Sequence, residues 1–102
     1  MIKKVDKQGF DKALQTAGKT VVINFSTDWC PYCKRLEPVI GKVADENKDT
    51  IDVYYVNIDE CPDLAEQYDI MTVPTVYAFI NGEVKGHAVN PQTQAALIKL
   101  IF

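Results

Sequence analysis

Residues 21–33 read Val21-Val22-Ile23-Asn24-Phe25-Ser26-Thr27-Asp28-Trp29-Cys30-Pro31-Tyr32-Cys33, and this stretch decides how the rest of the chain is understood. Its first half, Val21 to Phe25, is nearly continuous and β-branched, the pattern of a strand covered on both faces. From Cys30 to about Asn47 the apolar positions Leu36, Val39, Ile40, Val43 and Ala44 follow the helical period, with charges between them. A buried strand therefore runs into a helix at the cysteine pair. Pro38 interrupts that helix; its ring displaces the carbonyl of Lys34 and it donates no hydrogen bond, so a kink is expected rather than a stop.

The same alternation continues on either side. Toward the N-terminus, a short apolar strand at Ile2 to Val5 precedes Phe10, Ala13, Leu14 and Ala17, which share one helical face that Gly18 ends. Toward the C-terminus, Val53 to Ile58 reads as a second buried strand and Pro62 to Tyr68 as a short helix with proline in its first turn. Thr75 to Ile80 is a strand, Asn81-Gly82 is a strong hairpin signal, and Glu83 to Val89 returns antiparallel. Asn90 is placed to cap a last helix with Pro91 at its first position and Leu97, Leu100 and Ile101 on its buried face. The order is β-α-β-α-β-α-β-β-α. This predicts an α/β fold whose central mixed sheet, flanked by helices, is parallel in its middle and antiparallel at one edge. No repeat, linker or low-complexity tract divides the chain, so residues 1–102 are expected to form one domain.

Composition narrows the function classes. The 102 residues are 47% apolar and 25% charged, enough for a core without disulfide or metal staples. Eleven basic residues against 14 acidic ones give a net charge of -3, which offers no electrostatic footprint for a nucleic acid. The start, Met1-Ile2-Lys3-Lys4, turns polar at once, unlike a secretory signal, and no run approaches a membrane span. Three cysteines fit a secreted disulfide framework poorly, so a reducing cytoplasm is the expected compartment.

Cys30 and Cys33 are spaced C-x-x-C, which chance produces among three cysteines in about 6% of arrangements, so spacing alone does not decide their role. Position adds more. At the start of a helix, unpaired N–H groups and the positive end of the dipole favour a thiolate at Cys30. Residues three apart on a helix lie roughly 5–6 Å apart at Cβ, so a slight adjustment reaches disulfide distance. Such a pair can open and close without unfolding the chain.

With Phe25-Ser26 before Trp29-Cys30, Asn57-Ile58-Asp59 ending the next strand, Val73-Pro74-Thr75, and Asn81-Gly82, the chain resembles the thioredoxin family over nearly its whole length. The resemblance implies a thiol–disulfide oxidoreductase in which Cys30 attacks a client disulfide and Cys33 resolves the mixed disulfide. It also implies that Pro74 is cis and faces the cysteines, that Val73 offers its backbone to a client strand, and that Trp29 belongs to the docking surface with Pro31 and Tyr32. No bound cofactor is implied. Electrons would come from a thioredoxin reductase, whether NADPH-, ferredoxin- or flavin-linked, and would pass to disulfide-bearing proteins. Nothing asks for more than a monomer.

Three positions depart from the family pattern. Pro31-Tyr32 resembles the glutaredoxin loop, where thioredoxins have Gly-Pro, and implies a couple more oxidising than an ordinary thioredoxin at about −270 mV. It also raises a glutathione-linked alternative. Asn24 stands where thioredoxins place a buried aspartate beneath the cysteines; it cannot accept a proton, so it would tune the release of Cys33, or it is simply a hydrogen-bonded core residue. Asn90 stands where the family often has glycine beside the client groove, and is expected to serve as the helix cap.

Other features have plain explanations. Cys61, before Pro62, is either a regulatory thiol or a small core residue, and the latter is expected. The single histidine, His87, reads as surface decoration on an edge strand. Cys30, Cys33, Cys61 and His87 could number four zinc ligands, but only one pair is closely spaced, so no metal is expected. A noncatalytic module of this fold would be expected to lose a cysteine, and both are kept.

Overall fold

Apolar residues that switch between period-two and helical spacing produce alternating strands and helices in the expected order. The computed structural model describes residues 2–102. Met1, which the 1–102 domain expectation includes, lies outside them. The elements are β1 (Lys3–Lys4), α1 (Lys7–Leu14), β2 (Thr20–Ser26), α2 (Pro31–Glu46), β3 (Ile51–Asn57), α3 (Pro62–Gln67), β4 (Thr75–Ile80), β5 (Glu83–Val89) and α4 (Gln94–Ile101).

The strands form one five-stranded sheet in the order β1-β3-β2-β4-β5. Central β2 is parallel to β3, with Thr20 opposite Ile51 and Ser26 opposite Asn57, and antiparallel to β4 on its other side. Antiparallel pairing therefore starts at the centre of the sheet, not only at the late hairpin. β4 enters the sheet at the end where β3 leaves it and runs back along β2.

Successive residues of β2 point to opposite faces and serve two cores. Val21, Ile23 and Phe25 pack with Phe10 of α1, Leu64 of α3 and Phe79 of β4. Val22 packs on the other side with Leu36 and Ile40 of α2 and Leu97 of α4. Asn24 and Ser26 continue that second face, so β2 presents polar side chains toward the helix that begins with the cysteines. α2 runs through Pro38 without a break, and the proline is exposed.

Several local expectations need correction. α1 ends at Leu14 with Gln15 as its C-cap, which leaves Ala17 exposed and off the buried face; Gly18, at φ +84, makes the following left-handed turn. β3 is only half-buried from Asp52 to Tyr55, because two-residue β1 covers little of its outer edge. Thr93, not Asn90, caps α4: its hydroxyl accepts from the Ala96 N–H at 3.1 Å. Asn90 instead takes φ +52, a left-handed turn that carries the chain out of β5, and Pro91 is buried ahead of the helix. The Asn81-Gly82 hairpin is as expected, with φ +52 and +82.

Candidate functional site

β2 ends at Ser26, and the Thr27-Asp28-Trp29 turn delivers Cys30 to the N-cap of α2. Its extended backbone, φ -87 and ψ 119, lets the sulfur swing over the first turn and accept the Cys33 N–H at 3.3 Å. A backbone N–H that would otherwise lack a partner thus points at Cys30 Sγ. Pro31 and Tyr32 fill the first helical positions, where proline sacrifices no hydrogen bond. Cys33 is one turn deeper.

The two sulfurs differ in setting. Cys30 is 4% exposed and Cys33 1%, so the attacking candidate reaches the surface only through a narrow opening. Burial pushes the Cys33 thiol up to about 11, and its hydrogen bond with Cys30 adds to this. The Thr27 backbone and the Ser26 hydroxyl act in the opposite direction.

The surrounding chain brings the other predicted residues to this opening. The Cys30 thiol donates to the Val73 carbonyl at 3.7 Å, which places the Val73-Pro74 segment against the pair; that peptide bond is cis. Trp29 is 68% exposed and its indole Nε1 donates to Asp59 Oδ2 at 2.8 Å. Asn57 Oδ1 in turn accepts the Asp59 N–H at 2.9 Å, so the Asn57-Ile58-Asp59 motif anchors the tryptophan. Tyr32 is exposed, with the Arg35 guanidinium 5.3 Å from its ring centroid. Trp29, Tyr32, Val73 and Pro74 therefore gather around Cys30.

Asn24 is buried as expected, but its Oδ1 has no hydrogen-bond partner among the described residues, which removes the bonded-core explanation. It lines a cavity of about 330 Å³ with Ile2, Glu37, Ile40, Gly41 and Tyr55. The polar group acting on Cys33 is instead Ser26, two residues further along the same face of β2.

Sequence reasoning missed five contacts. Tyr55 Oη donates to Asp28 Oδ1 at 2.6 Å. Asp59 anchors Trp29, a role that the motif it belongs to does not reveal by itself. Gln92 Nε2 donates to both the Tyr32 carbonyl, at 3.2 Å, and Asn90 Oδ1, at 2.6 Å, tying the β5–α4 loop to the active turn. The Asn90 N–H also donates to the Pro74 carbonyl at 2.7 Å. A polar residue on each of two facing loops was the only signal available.

Cys61 lies apart from the pair, half-buried at the N-terminus of α3 and packed against the phenylalanine core. Burial, Glu60 and Asp6 push its thiol up. A cavity of about 430 Å³ is beside it at the β1–α1 edge. His87 is exposed and stacks on Tyr77, ring centroids 4.9 Å apart. Among the described residues no group of three or more His, Cys, Asp or Glu side chains could hold a metal ion, and no helix is long and apolar enough to cross a membrane.

Comparison with known proteins agrees with this geometry. The Thioredoxin family model matches residues 1–102. A thioredoxin of Rickettsia felis is 33% identical over 101 residues, covering 99% of this chain and 96% of its own. A chloroplastic M-type thioredoxin of Spinacia oleracea is 46% identical over 65 residues, covering 64% of this chain and 36% of its own. The crystal structure of oxidised mitochondrial thioredoxin 3 from Saccharomyces cerevisiae superposes with a TM-score of 0.86 at 26% identity, over 98% of this chain and 92% of that one. With a helix-capping cysteine pair set against a cis-proline loop on this sheet, the chain belongs to the thioredoxin family of thiol–disulfide oxidoreductases.

Proposed function

We infer that Cys30 is the attacking sulfur and Cys33 the resolving one in dithiol exchange with protein disulfides, carried out by residues 1–102 as one domain. The Cys30 thiolate attacks a client sulfur, the client S–S bond breaks, and the displaced sulfur leaves as a thiolate that takes up a proton. Cys33 then loses its proton and attacks Cys30 Sγ, releasing the second client sulfur. Two electrons reach the client, and a Cys30–Cys33 disulfide remains for a separate reductase to open. No bound cofactor takes part. The observation that carries this reading is the asymmetry of the pair: Cys30 accepts the first-turn N–H, whereas burial keeps Cys33 protonated up to about 11.

Trp29, Pro31, Tyr32, Val73 and Pro74 form the client-facing surface, with the Val73 backbone adding to a client strand. The protein works in a cytoplasmic, reducing setting. Pro31-Tyr32 favours a second coupling, to glutathione, and a potential above that of an ordinary thioredoxin. A redox titration in glutathione buffers tests this, with the single tryptophan, Trp29, reporting the adjacent pair. A two-electron midpoint between about −270 and −200 mV is expected. A midpoint at or below the thioredoxin value overturns the oxidising assignment, and absence of any two-electron transition overturns the redox role. Turnover with a thioredoxin reductase against turnover with glutathione then identifies the electron source.

A further inference from the structure

The side chain of Gln92 is a primary amide, with two N–H donors on one nitrogen and one acceptor oxygen. Both donors are in use: Nε2 donates to the Tyr32 carbonyl at 3.2 Å and to Asn90 Oδ1 at 2.6 Å. Tyr32 stands between the cysteines in the first turn of α2, and its carbonyl has a second lone pair for a donor from outside the helix. Asn90 is held in turn by the proline loop, because its N–H donates to the Pro74 carbonyl at 2.7 Å. These contacts close a ring of five hydrogen bonds. It runs from the Cys30 thiol to the Val73 carbonyl, across the cis peptide to the Pro74 carbonyl, through Asn90 and Gln92 to Tyr32, and back by the Cys33 N–H to Cys30 Sγ.

We propose that Gln92 is a positioning residue for client binding, whose amide clamps the Pro31-Tyr32 turn to the Val73-Pro74 loop before a client arrives, so that an extended peptide flanking a disulfide meets a preformed groove. The clamp rests on the reading that these two segments are walls against which a client docks. A groove whose walls are already held in the free protein imposes little ordering cost on binding. Without the amide, the two walls keep only the long 3.7 Å contact of the Cys30 sulfur with Val73, and client binding must also bring them into place. Asn90 Oδ1 acts through Gln92, by orienting its amide toward Tyr32.

Opening the ring at Gln92 leaves both contacts of Cys30 Sγ in place, the one to the Val73 carbonyl and the one from the Cys33 N–H. The sulfur keeps its setting while the walls around it loosen. The loss therefore falls on clients long enough to lie along both walls, and a small disulfide that reaches only Cys30 is spared.

Reduced protein mixed with excess disulfide, quenched with an alkylating agent and read by mass spectrometry, gives second-order rate constants for a disulfide-bridged peptide and for 2-hydroxyethyl disulfide. A hydrogen bond of ordinary net strength corresponds to about fivefold. Gln92→Ala is therefore expected to slow the peptide about fivefold and the small disulfide by less than about twofold. Gln92→Glu keeps the shape without the donors and should behave as Gln92→Ala does. Asn90→Gly should also slow the peptide about fivefold, and the double variant about fivefold again, where independent sites would give about 25-fold. In the free protein, hydrogen exchange of the Asn90 N–H should quicken about fivefold in Gln92→Ala, which a Gln92 that merely touched the client would not cause. Urea midpoints establish that each variant is folded, and Asn90→Gly, at an exposed site, carries the test if Gln92→Ala does not fold. Equal slowing of both disulfides, rescue by Gln92→Glu, multiplying losses in the double variant, or unaltered exchange at Asn90 overturns the clamp. Trp29→Ala probes the docking surface itself. A peptide rate lowered by Trp29→Ala but not by Gln92→Ala overturns the clamp alone, whereas a rate unmoved by either overturns the docking reading with it.

Discussion

Asn24→Asp introduces an ionisable group at a site that is 3% exposed and whose side-chain oxygen has no partner among the described residues. A carboxylate there would face Ile40, Gly41 and the Glu37 side chain across the cavity, with no cation lining it. Desolvation would therefore raise its folded-state pKa, by about three units for a group so deeply placed. Each unit corresponds to about 1.4 kcal/mol, so the variant should lose about 4 kcal/mol at pH 8. A domain of this size has about 5–15 kcal/mol in all, so the loss is easily measured.

The sign follows from proton linkage. An acid whose folded pKa lies above its unfolded value binds its proton more tightly in the fold, so below the unfolded value, about 4, ionisation brings no penalty. The deficit then grows as pH rises through the folded pKa and is complete above it. Urea unfolding of the reduced protein at pH 4, 6 and 8, followed by Trp29 fluorescence, should show the variant approaching the parent at pH 4 and falling away by pH 8. An equal deficit at pH 4 and pH 8 would refute the argument, since it would mean the carboxylate is as well solvated in the fold as out of it. The pH profile of client reduction should gain an ionisation in the same window; superimposable profiles would remove Asn24 from any tuning role.

Two further outcomes follow from the geometry. Brief iodoacetamide treatment of the reduced protein at pH 8, with peptide mapping, should label Cys30 and spare Cys33, whose thiol burial holds at about 11; equal labelling would contradict the asymmetry of the pair. At position 90, where φ is +52, Asn90→Ala should cost about 1–2 kcal/mol because Cβ resists the left-handed region. Asn90→Gly should cost less, although both lose the bond to Gln92. Equal urea midpoints for the two variants would assign the residue's role to its side chain alone.

Much of the architecture was legible because it depends on local pattern. The doubly covered strand at Val21 to Phe25, the proline-led starts of α2 and α3, and the Asn81-Gly82 turn each carry a signal within a few residues, and each stands where that signal put it. Burial of β3 was less legible. Its apolar run resembles a fully covered strand, but cover depends on how long β1 is, and that depends on where the chain turns at Val5 and Asp6. The antiparallel centre of the sheet is likewise a matter of which strand β4 pairs with, which the composition of β4 does not reveal.

The same distinction separates the cysteines from the contacts made around them. A C-x-x-C at a strand-to-helix junction is a local feature, whereas Asp28 and Tyr55 are 27 residues apart and meet only because β2 and β3 are parallel and in register. Asn90 shows how a local rule can mislead. Asparagine followed by proline is a sound helix start, yet here the backbone N–H of residue 90 is committed to the Pro74 carbonyl and its φ is positive, so the cap passes to Thr93. Glycine meets that backbone demand without cost, and asparagine tolerates it. What the asparagine adds is an amide oxygen at 2.6 Å from Gln92, which reaches on to the Tyr32 carbonyl between the cysteines. That chain of bonds couples the proline loop to the active turn through a side chain that glycine would not supply.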